Sequence, residues 1–469
     1  MTVDRERLAR IILSGINDIE EWRLGDPALA AAKGYPRAFP GELIDDWGIL
    51  FVDIVLDAGS GKLVCHEVNG PNAVGSDALT GDSTLRAANE ASHAIRRMKE
   101  LGYLGTDGQL GTQVVTIHAH QHWQFFRTGG EFYPRVAAFA DCLADKLPGQ
   151  SLACYAAGDA LGDEQVSVVM GDVPAITANI AFDAEARRFT YRGRPVVFMG
   201  NPNLLSDLIR SGKFPRALRD SLDPCLRILH AWRFSGLIHD KGQQQELFAN
   251  TAIRPLRHFA ASSPEEAVAK TRAMLAEGPV VLKPSDTSGG VGVSVVVASM
   301  SDDDIRGVID RLIADCRRKY GENSDAMILP IRGFEFVRST GFALEDGEHL
   351  WDLRIAIQYE PGRVLAYPVT LRLTPEAFDP EHFHEEPRRW ISNVSGRRET
   401  LLRSGMDDAV LAEVGMTDEM IEQAMQACAR WTSKAIDMLS RGGGKGGGVF
   451  EDAREALDEP FYHGEKFRI

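Results

Sequence analysis

The chain has 469 residues, which is too many for one simple core, so two or three domains are expected. Its formal net charge of −15 argues against proteins that bind nucleic acid or anionic membranes, because both classes need a basic surface. Hydrophobic residues make up 44% and charged residues 25% of the sequence, which is ordinary for a globular protein.

The cysteines and the opening segment indicate the cellular compartment. Six cysteines are scattered without a CxxC pair, which favours reduced thiols over disulfides or a structural zinc site. The opening MTVDRERLARIIL lacks the apolar run of a signal peptide, and no stretch approaches the roughly 20 apolar residues of a spanning helix. We therefore expect a cytoplasmic protein with no membrane or nucleic-acid partner.

A helix over 4–25 and a β-hairpin are the first predicted elements. GILFVDIVL and LVCHEVN form the two strands of the hairpin, and DAGSG (57–61) forms its turn. Asp53 lies on the first strand, and Glu67 and Asn69 share one face of the second because side chains alternate. Val64 and Val68 hold core-like positions, so this face is expected to lie towards an interior or a cleft. A solvated hairpin face is the alternative.

A helix over 84–102 and then alternating strands and helices follow. The alternation from about 110 to 235 predicts a small α/β domain with a parallel sheet. In IHAHQH the three histidines share one face of a strand, as metal ligands or substrate contacts, or as a polar strand end: His118, His120 and His122. Ser76, between the hairpin and the helix, is a further substrate contact or a capping residue.

Beyond residue 236 a helix over 263–278 leads into PVVLKPSDTSGGVGVSVV, which predicts a strand, a glycine-rich turn and a second strand. Lys283 ends the first strand, where it can reach a phosphate, and the small residues of the turn let backbone N–H groups approach it. The turn residues are Ser285, Thr287, Ser288, Gly289, Gly290 and Gly292. The segment is neither a Walker A loop nor a Rossmann fingerprint, because no GK[ST] follows and the turn leads into a strand. A plain glycine-rich hairpin is the alternative.

The order of the motifs carries more information than each motif alone. Asp240-Lys241 heads a short helix, VLKP follows, and FEFV (334–337) ends a strand. WDLR contains Asp352 and Arg354, VTLRL contains Arg372, and ISNVSGRRE contains Asn393. Over about 236–400 this order resembles the ATP-grasp superfamily.

The resemblance implies ATP as the nucleotide. Lys241 and Lys283 would bind its α- and β-phosphates, and the glycine-rich turn would cover the triphosphate. Glu335, Phe336 and Val337 would form the adenine and ribose hinge, with MILPI (327–331) as the alternative hinge. Arg354 and Arg372 would face the γ-phosphate or an acyl phosphate formed from it.

The resemblance also explains the opening hairpin. Family members usually finish with a hairpin that carries Asp and then E-x-N, whose side chains hold Mg²⁺, and no such hairpin follows residue 400. FVDIVLDAGSGKLVCHEVNGPN matches it at the other end of the chain. The chain therefore resembles a circularly permuted ATP-grasp enzyme, with Asp53, Glu67 and Asn69 as ligands of Mg²⁺, or of Mn²⁺ as the alternative.

The expected fold class is α/β: a circularly permuted α+β ATP-grasp core with a small Rossmann-like domain. The expected boundaries are 1–105 for the metal-binding part of the core, 106–235 for the Rossmann-like domain on the substrate side, 236–340 for the lid, 341–441 for the rest of the core, and 442–469 for a glycine-rich linker and tail.

The expected activity is ATP-dependent ligation of a small-molecule carboxylate to an amine through an acyl phosphate. A kinase and a non-catalytic ATP-binding regulator are the rival interpretations, and a homodimer is left open. Further substrate-side candidates lie near the end of the motif series: Asn393, Arg397 and Arg398. For the two arginines, which could anchor a carboxylate or a phosphate, a solvated turn is the alternative.

Overall fold

The computed structural model describes residues 27–42, 44, 48–69, 82–120, 136–200, 204, 208, 211–215, 241–284, 292–320, 328–360, 362–390 and 401–441. Its helices are α1 (Pro27–Ala32), α2 (Asp82–Glu100), α3 (136–146), α4 (Val173–Asn179), α5 (Lys241–Glu246), α6 (Pro264–Met274), α7 (Asp302–Tyr320), α8 (Asp408–Glu413), α9 (Asp418–Arg441) and a 3-10 helix at Pro387–Trp390.

The strands are β1 (Arg37–Gly41), β2 (Gly48–Leu56), β3 (Leu63–Asn69), β4 (Val114–His120), β5 (Leu152–Ala156), β6 (Val166–Asp172), β7 (Ile180–Asp183), β8 (Arg188–Tyr191), β9 (Arg194–Met199), β10 (Ile253–Arg254), β11 (His258–Ala261), β12 (Val280–Lys283), β13 (Ser294–Val296), β14 (Ile331–Glu335), β15 (Phe342–Leu344), β16 (Gly347–His349), β17 (Trp351–Glu360), β18 (Gly362–Leu373) and β19 (Leu401–Ser404).

The described chain divides into two compact units. Of the described residues, the first unit holds 27–28 and 82–215, and the second holds 29–69 and 241–441. Helix α2, which the expected boundaries group with the opening hairpin in 1–105, lies in the first unit. There its alanine-rich inner face, with Ala87, Ala91 and Ala94 buried, packs on β9.

The first unit is an α/β domain. Its sheet has the order β5-β6-β4-β9-β8-β7, in which β5, β6, β4 and β9 run parallel and β7 and β8 form an antiparallel extension. The parallel strands are almost continuous apolar runs, as expected for strands covered on both faces. The parallel sheet expected from about 110 to 235 is thus present in the described part of that range.

The second unit is built around a large sheet, here called the core sheet. It has the order β1-β18-β17-β2-β3-β10, and β19 pairs with β18. The opening hairpin β2–β3 therefore lies inside this sheet, between β17 and β10, which are formed by residues far along the chain. Apolar side chains of α9, including Trp431 and Ala435, pack on the core sheet in one hydrophobic cluster with Val52 and Ile54.

A smaller antiparallel sheet of the second unit, here called the lid sheet, has the order β11-β14-β12-β13. Helices α6 and α7 pack against it around Leu282, Ile305 and Ile309. Helix α6 begins at Pro264 after the N-cap Ser263, whose side chain accepts a hydrogen bond from the Glu266 N–H. The strand predicted at 280–283 is β12, and it ends at Lys283.

The α/β class and the opening hairpin predicted from the sequence are confirmed. The sequence also predicts strands in LWDLRIAIQYE and RVLAYPVTLRL, on either side of the turn PGR, and a long helix over 418–439. These segments form β17, β18 and α9. The predicted helix over 4–25 and the glycine run at 442–448 lie outside the described residues. Among the helices described, none combines the length and apolar character needed to cross a membrane.

Candidate active site

A row of charged side chains crosses one face of the core sheet. Residues that oppose each other in antiparallel strands point to the same face. Asp53 of β2 opposes Glu67 of β3 on one side and Arg354 of β17 on the other. Asp352, two residues before Arg354 on β17, opposes Arg372 of β18. The strand register thus brings together two segments that lie some 300 residues apart in the sequence.

A β-bulge adjusts the hairpin at this point. Glu67 opposes Asp53 but Cys65 opposes Ile54, so His66 is the extra residue of β3. A bulge turns neighbouring side chains to a new direction, and bulges recur beside active sites. Burial, and next the positive charge of Lys283, lower the pKa of His66 to about 4, so its imidazole is neutral at pH 7. The sequence pattern gave no sign of this bulge.

Asp53 is the centre of a buried ion network. Its Oδ1 accepts a hydrogen bond from Arg354 Nε (2.7 Å), and its Oδ2 accepts from Arg354 Nη2 and Arg372 Nη2 (2.8 Å each). Arg372 Nε also donates to Asp352 (2.5 Å). Burial alone would raise the pKa of Asp53, but the two guanidinium groups hold it well below its usual range. Asp53 is therefore ionised at any physiological pH.

Glu67 faces the two lysines that the resemblance assigns to phosphate binding. Its Oε1 lies 3.4 Å from Lys241 Nζ. Burial opposes ionisation, yet Lys241 and then Lys283 lower the pKa of Glu67. Burial also lowers the pKa of Lys283, an effect that Glu67 counteracts. The three groups thus form one electrostatic cluster at the junction of the core sheet, the lid sheet and α5.

Two buried glutamines hold α5 against the hairpin. Gln244 Oε1 accepts a hydrogen bond from the Val68 N–H, and Gln244 Nε2 donates to the Val68 carbonyl, both at 3.0 Å. Gln245 Nε2 donates to the Cys65 carbonyl (3.1 Å) on the other side of the bulge. On the edge of β3 away from β2, the described strand β10 pairs only with Leu63 and Val64. The two glutamines take over the backbone beyond that point, and they fix Lys241 beside Glu67. The sequence analysis did not single out either glutamine.

Arg332 is a further cation that the sequence analysis missed. It opposes Lys283 across β12 and β14, so both side chains lie on one face of the lid sheet. A Cβ on Gly242 would lie only 3.0 Å from Arg332 Nη1, so the guanidinium packs directly against the residue after Lys241. Glycine at 242 permits this approach. The signal in the sequence was that Arg332 and Phe334 are two residues apart in a strand, so their side chains share one face. The ring centroid of Phe334 lies 5.6 Å from Lys283 Nζ.

The predicted hinge is tied to the hairpin. Glu335 accepts hydrogen bonds from the Arg257 N–H (2.9 Å), from Arg257 Nε (3.0 Å) and from Arg254, which also contacts Asp57 in the hairpin turn (3.4 Å). The Phe336 N–H donates to the Pro279 carbonyl (2.9 Å). The carboxylate of Glu335 and the N–H of Phe336 are therefore already hydrogen-bonded within the protein. Val337 packs with Val55, Val64, Leu256 and Phe334 in a small apolar cluster.

Gly292 is the one glycine of the predicted flap that the structure describes. Its φ of +70° favours glycine, and an added Cβ would lie 2.8 Å from Pro284 Cγ and 2.9 Å from Cys316 Sγ. The other flap residues predicted to cover the triphosphate lie outside the described residues: Ser285, Thr287, Ser288, Gly289 and Gly290.

The predicted substrate-side residues remain predictions. His118 is buried in the first unit, with its ring centroid 4.4 Å from Phe139 and 5.3 Å from Phe198. His120 lies at the end of β4, and its side chain is not described. The remaining candidates lie outside the described residues: Ser76, His122, Asn393, Arg397 and Arg398.

The predicted metal ligands differ in how accessible their side chains are to a cation. Glu67 is one-third exposed and Asn69 is half-buried on the same strand, and carboxylate and amide oxygens suit Mg²⁺. Asn69 Nδ2 donates to Asp53 Oδ2 (2.9 Å), so the nitrogen of the Asn69 amide faces Asp53 and its oxygen faces away from Asp53. Glu67 and Asn69 therefore fit a divalent ion. In the part of the chain that the structure describes, no three His, Cys, Asp or Glu side chains cluster as a metal site.

No protein-family model and no curated protein matches the sequence. Among solved structures, the chain is similar to D-alanyl-alanine synthetase A from Vibrio cholerae, with a TM-score of 0.38 and 11% identity over 70% of this chain and 82% of that one. It is also similar to the biotin carboxylase domain dimer of 2-oxoglutarate carboxylase from Hydrogenobacter thermophilus, in complex with MgADP, ADP and bicarbonate. That comparison gives a TM-score of 0.26 and 11% identity over 66% of this chain and 68% of that one. Both TM-scores lie below 0.5, so the interpretation of the site rests on its own geometry.

Proposed function

We propose that the protein is an ATP-dependent ligase that joins a small-molecule carboxylate to an amine. The observation that carries the proposal is the contact between Glu67 of the opening hairpin and Lys241, 3.4 Å apart, with Lys283 close enough to lower the pKa of the same carboxylate. Three weak sequence motifs meet at one place, as a nucleotide site made from these segments requires.

The proposal includes a circular permutation of the ATP-grasp core. Its support is that β2 and β3 occupy inner positions of the core sheet, between β17 and β10, although they lie in the first 70 residues of the sequence. The Asp–Glu-x-Asn hairpin that family members usually carry at the end of this core would then have its counterpart at the other end of the chain.

The cations of the site have distinct proposed tasks. Lys241, Lys283 and Arg332 line the region between α5 and the lid sheet, where they would hold the phosphates of ATP. Arg354 and Arg372 lie on the core sheet, where they would stabilise the charge that develops on the transferred phosphoryl group. Positioning and charge stabilisation supply most of the rate in such reactions.

Glu67 and Asn69 would hold the divalent cation. A cation held there would supply charge neutralisation at the phosphates of ATP. In the protein without nucleotide, Lys241 and Lys283 balance the charge of Glu67. Phosphates that engage the lysines would leave the carboxylate available to the metal.

The proposed chemistry has two steps. An oxygen of the substrate carboxylate attacks the γ-phosphorus, the bond between that phosphorus and the bridging oxygen breaks, and ADP leaves. The amine then attacks the acyl carbon, the carbon–oxygen bond to the phosphoryl group breaks, and phosphate and a proton are released. A flap ending at Gly292 would exclude water and protect the acyl phosphate from hydrolysis.

The test is ADP release from Mg²⁺-ATP, screened against amino acids and small carboxylates singly and in pairs. The wild-type protein is compared with Glu67→Gln and with the matched control Glu413→Gln, an exposed glutamate of α8. We expect steady ADP release that requires a carboxylate and an amine together. It should fall at least about 100-fold in Glu67→Gln, since such metal and phosphate contacts contribute about 3 kcal/mol or more, and persist in the control.

Other outcomes separate the rival functions. Turnover with a lone hydroxyl compound would identify a kinase. Binding of ATP without turnover in any mixture would favour a regulatory module. Equal activity of wild type and Glu67→Gln would contradict the proposed role of the hairpin.

A further inference from the structure

Asp53 has no suitable place left for a metal ion. A carboxylate offers about four lone-pair sites. Four N–H groups already point at Asp53: Arg354 Nε at Oδ1, and Arg354 Nη2, Arg372 Nη2 and Asn69 Nδ2 at Oδ2, at distances of 2.7 to 2.9 Å. Oδ2 is fully used. The side chain is 4% exposed, so water cannot readily replace these donors.

The remaining lone pair of Oδ1 is also unsuitable for a dication. Mg²⁺ binds oxygen at about 2.1 Å, and Arg354 Nε lies 2.7 Å from Oδ1. A metal there would therefore lie within roughly 5 Å of a buried guanidinium group, where like charges repel strongly because water does not screen them.

The charges of the network balance without a metal. Asp53 and Asp352 face Arg354 and Arg372, and all four side chains are at most 8% exposed. Buried charges are tolerated when they are paired and hydrogen-bonded. A dication at Asp53 would add two positive charges beside two buried guanidinium groups, whereas Glu67 is one-third exposed.

We propose that Asp53 is a positioning residue for Arg354, Arg372 and Asn69 and not a metal ligand, so that the protein side of the metal site consists of Glu67 and Asn69. This inference rests on the proposed function. Asp53 fixes both guanidinium groups through its two oxygens and turns the Asn69 amide so that its oxygen points away from the network. It therefore acts through three neighbours.

The test compares Asp53→Asn and Glu67→Gln with Asp352→Asn, a variant of the same network outside the predicted metal set. The probe is Mn²⁺, whose affinity in the presence of a non-hydrolysable ATP analogue is followed by electron paramagnetic resonance. We expect Glu67→Gln to weaken Mn²⁺ binding at least about tenfold. Asp352→Asn should stay within about threefold of wild type. Asp53→Asn should do so as well, because asparagine keeps an oxygen that can accept the hydrogen bond from Asn69 Nδ2 and so hold the Asn69 amide in place.

A second readout separates positioning from a purely structural role. In both network variants the melting temperature without ligands should fall by at least about 5 °C, because a buried charge loses its partner. In Asp53→Asn, kcat should fall at least about tenfold while the KM for ATP stays within about threefold, because the misplaced arginines act on the transferred group rather than on ATP binding.

A double variant keeps the test decisive if Asp53→Asn unfolds. Asp53→Asn with Arg354→Gln restores neutrality, so its melting temperature should exceed that of Asp53→Asn, and its Mn²⁺ affinity should again be close to wild type. A tenfold loss of Mn²⁺ affinity in the double variant overturns the inference. So does a melting temperature of Asp53→Asn within about 2 °C of wild type.

The proposed function and this inference fail in different ways. If the wild-type protein bound no Mn²⁺–nucleotide, the proposed function would be wrong. The melting temperatures of the two network variants would still decide whether Asp53 holds its arginines.

Discussion

Asp53, Glu67 and Glu335 each have a pKa below the usual range, because cations or hydrogen bonds outweigh the effect of burial. Arginines act on Asp53, lysines on Glu67, and the Arg257 amide with Arg254 and Arg257 on Glu335. The three carboxylates differ in whether a bound ligand could draw away the cations around them. Lysines beside a one-third exposed carboxylate can be drawn away by phosphate, whereas the arginines around Asp53 are buried.

Glu335 gives a pH-dependent prediction. Its pKa is lower in the folded than in the unfolded state, so the stability it contributes is present above about pH 4.5 and is lost as the pH falls through the folded value. Glu335→Gln should lower the free energy of unfolding by about 2 kcal/mol at pH 7, since bonds to charged groups contribute about that much. Urea unfolding of both proteins between pH 7 and 3 should show this difference shrinking below about pH 4.5. A difference that stays constant with pH would contradict the assignment.

Arg332 gives a prediction on nucleotide binding. Arg332→Met removes a cation that faces the same side of the lid sheet as Lys283. The KM for ATP should rise about tenfold, or about 1.4 kcal/mol, with kcat little changed, because a contact made equally in substrate and transition state affects binding alone. The control is Arg306→Met, on the outer helix α7, where Arg306 pairs with Glu265. An unchanged KM in Arg332→Met would contradict a phosphate contact.

At the scale of elements, α5 is short and depends on its side-chain bonds to β3. Six residues form less than two turns, and a helix of this length has little stability of its own. Gln244 and Gln245 replace a neighbouring strand by pairing with the backbone of β3. The position of Lys241 therefore depends on amide groups rather than on helix propensity.

Gln244→Leu tests this docking. Leucine has a similar size but leaves the buried N–H and carbonyl of Val68 without their partner, which should cost about 3 kcal/mol of unfolding free energy. The KM for ATP should rise as well, because Lys241 loses its support. Denaturant unfolding measures the first effect and steady-state kinetics the second. In Glu246→Gln, exposed on the same helix, both quantities should stay close to wild type.

The sequence predicted elements better than it predicted contacts. The hairpin β2–β3 and the strands β17 and β18 follow from alternation and turn residues. Their pairing does not, because the register of strands hundreds of residues apart depends on packing that local patterns do not contain. The bulge at His66 is an example. This extra residue in β3 sets which side chains face Lys283, and nothing in the sequence HEVN predicts a bulge.

The candidate site was partly predictable for the same reason. Charged residues at strand ends beside small-residue turns pointed to a nucleotide, and Glu67 and Lys241 do meet. The partners of Asp53 could not be foreseen, since they depend on which strand lies beside β2. Arg332 was missed because a single arginine in an alternating strand resembles any exposed charge until the strand opposite it is known.

At the scale of the whole molecule, the core sheet depends on the opening hairpin. β2 is hydrogen-bonded on both sides, to β3 and to β17. Its amides should therefore exchange with deuterium as slowly as those of β17 and far more slowly than those of β13, which pairs only with β12 in the lid sheet among the described strands. Exchange measured by mass spectrometry on peptides from 48–56 would test this. Exchange as fast as in 294–296 would contradict an integral hairpin.

The position of β2 has a consequence for how the protein is made. Asp53 and Arg354 are 301 residues apart, and ribosomes add about 5–20 residues per second. The hairpin therefore leaves the ribosome about 15–60 s before the strand it pairs with. During that time the side chains of Val52, Ile54 and Val55, which are buried in the finished protein, have no core to enter. The nascent chain should need a chaperone to cover this hairpin until β17 has been synthesised.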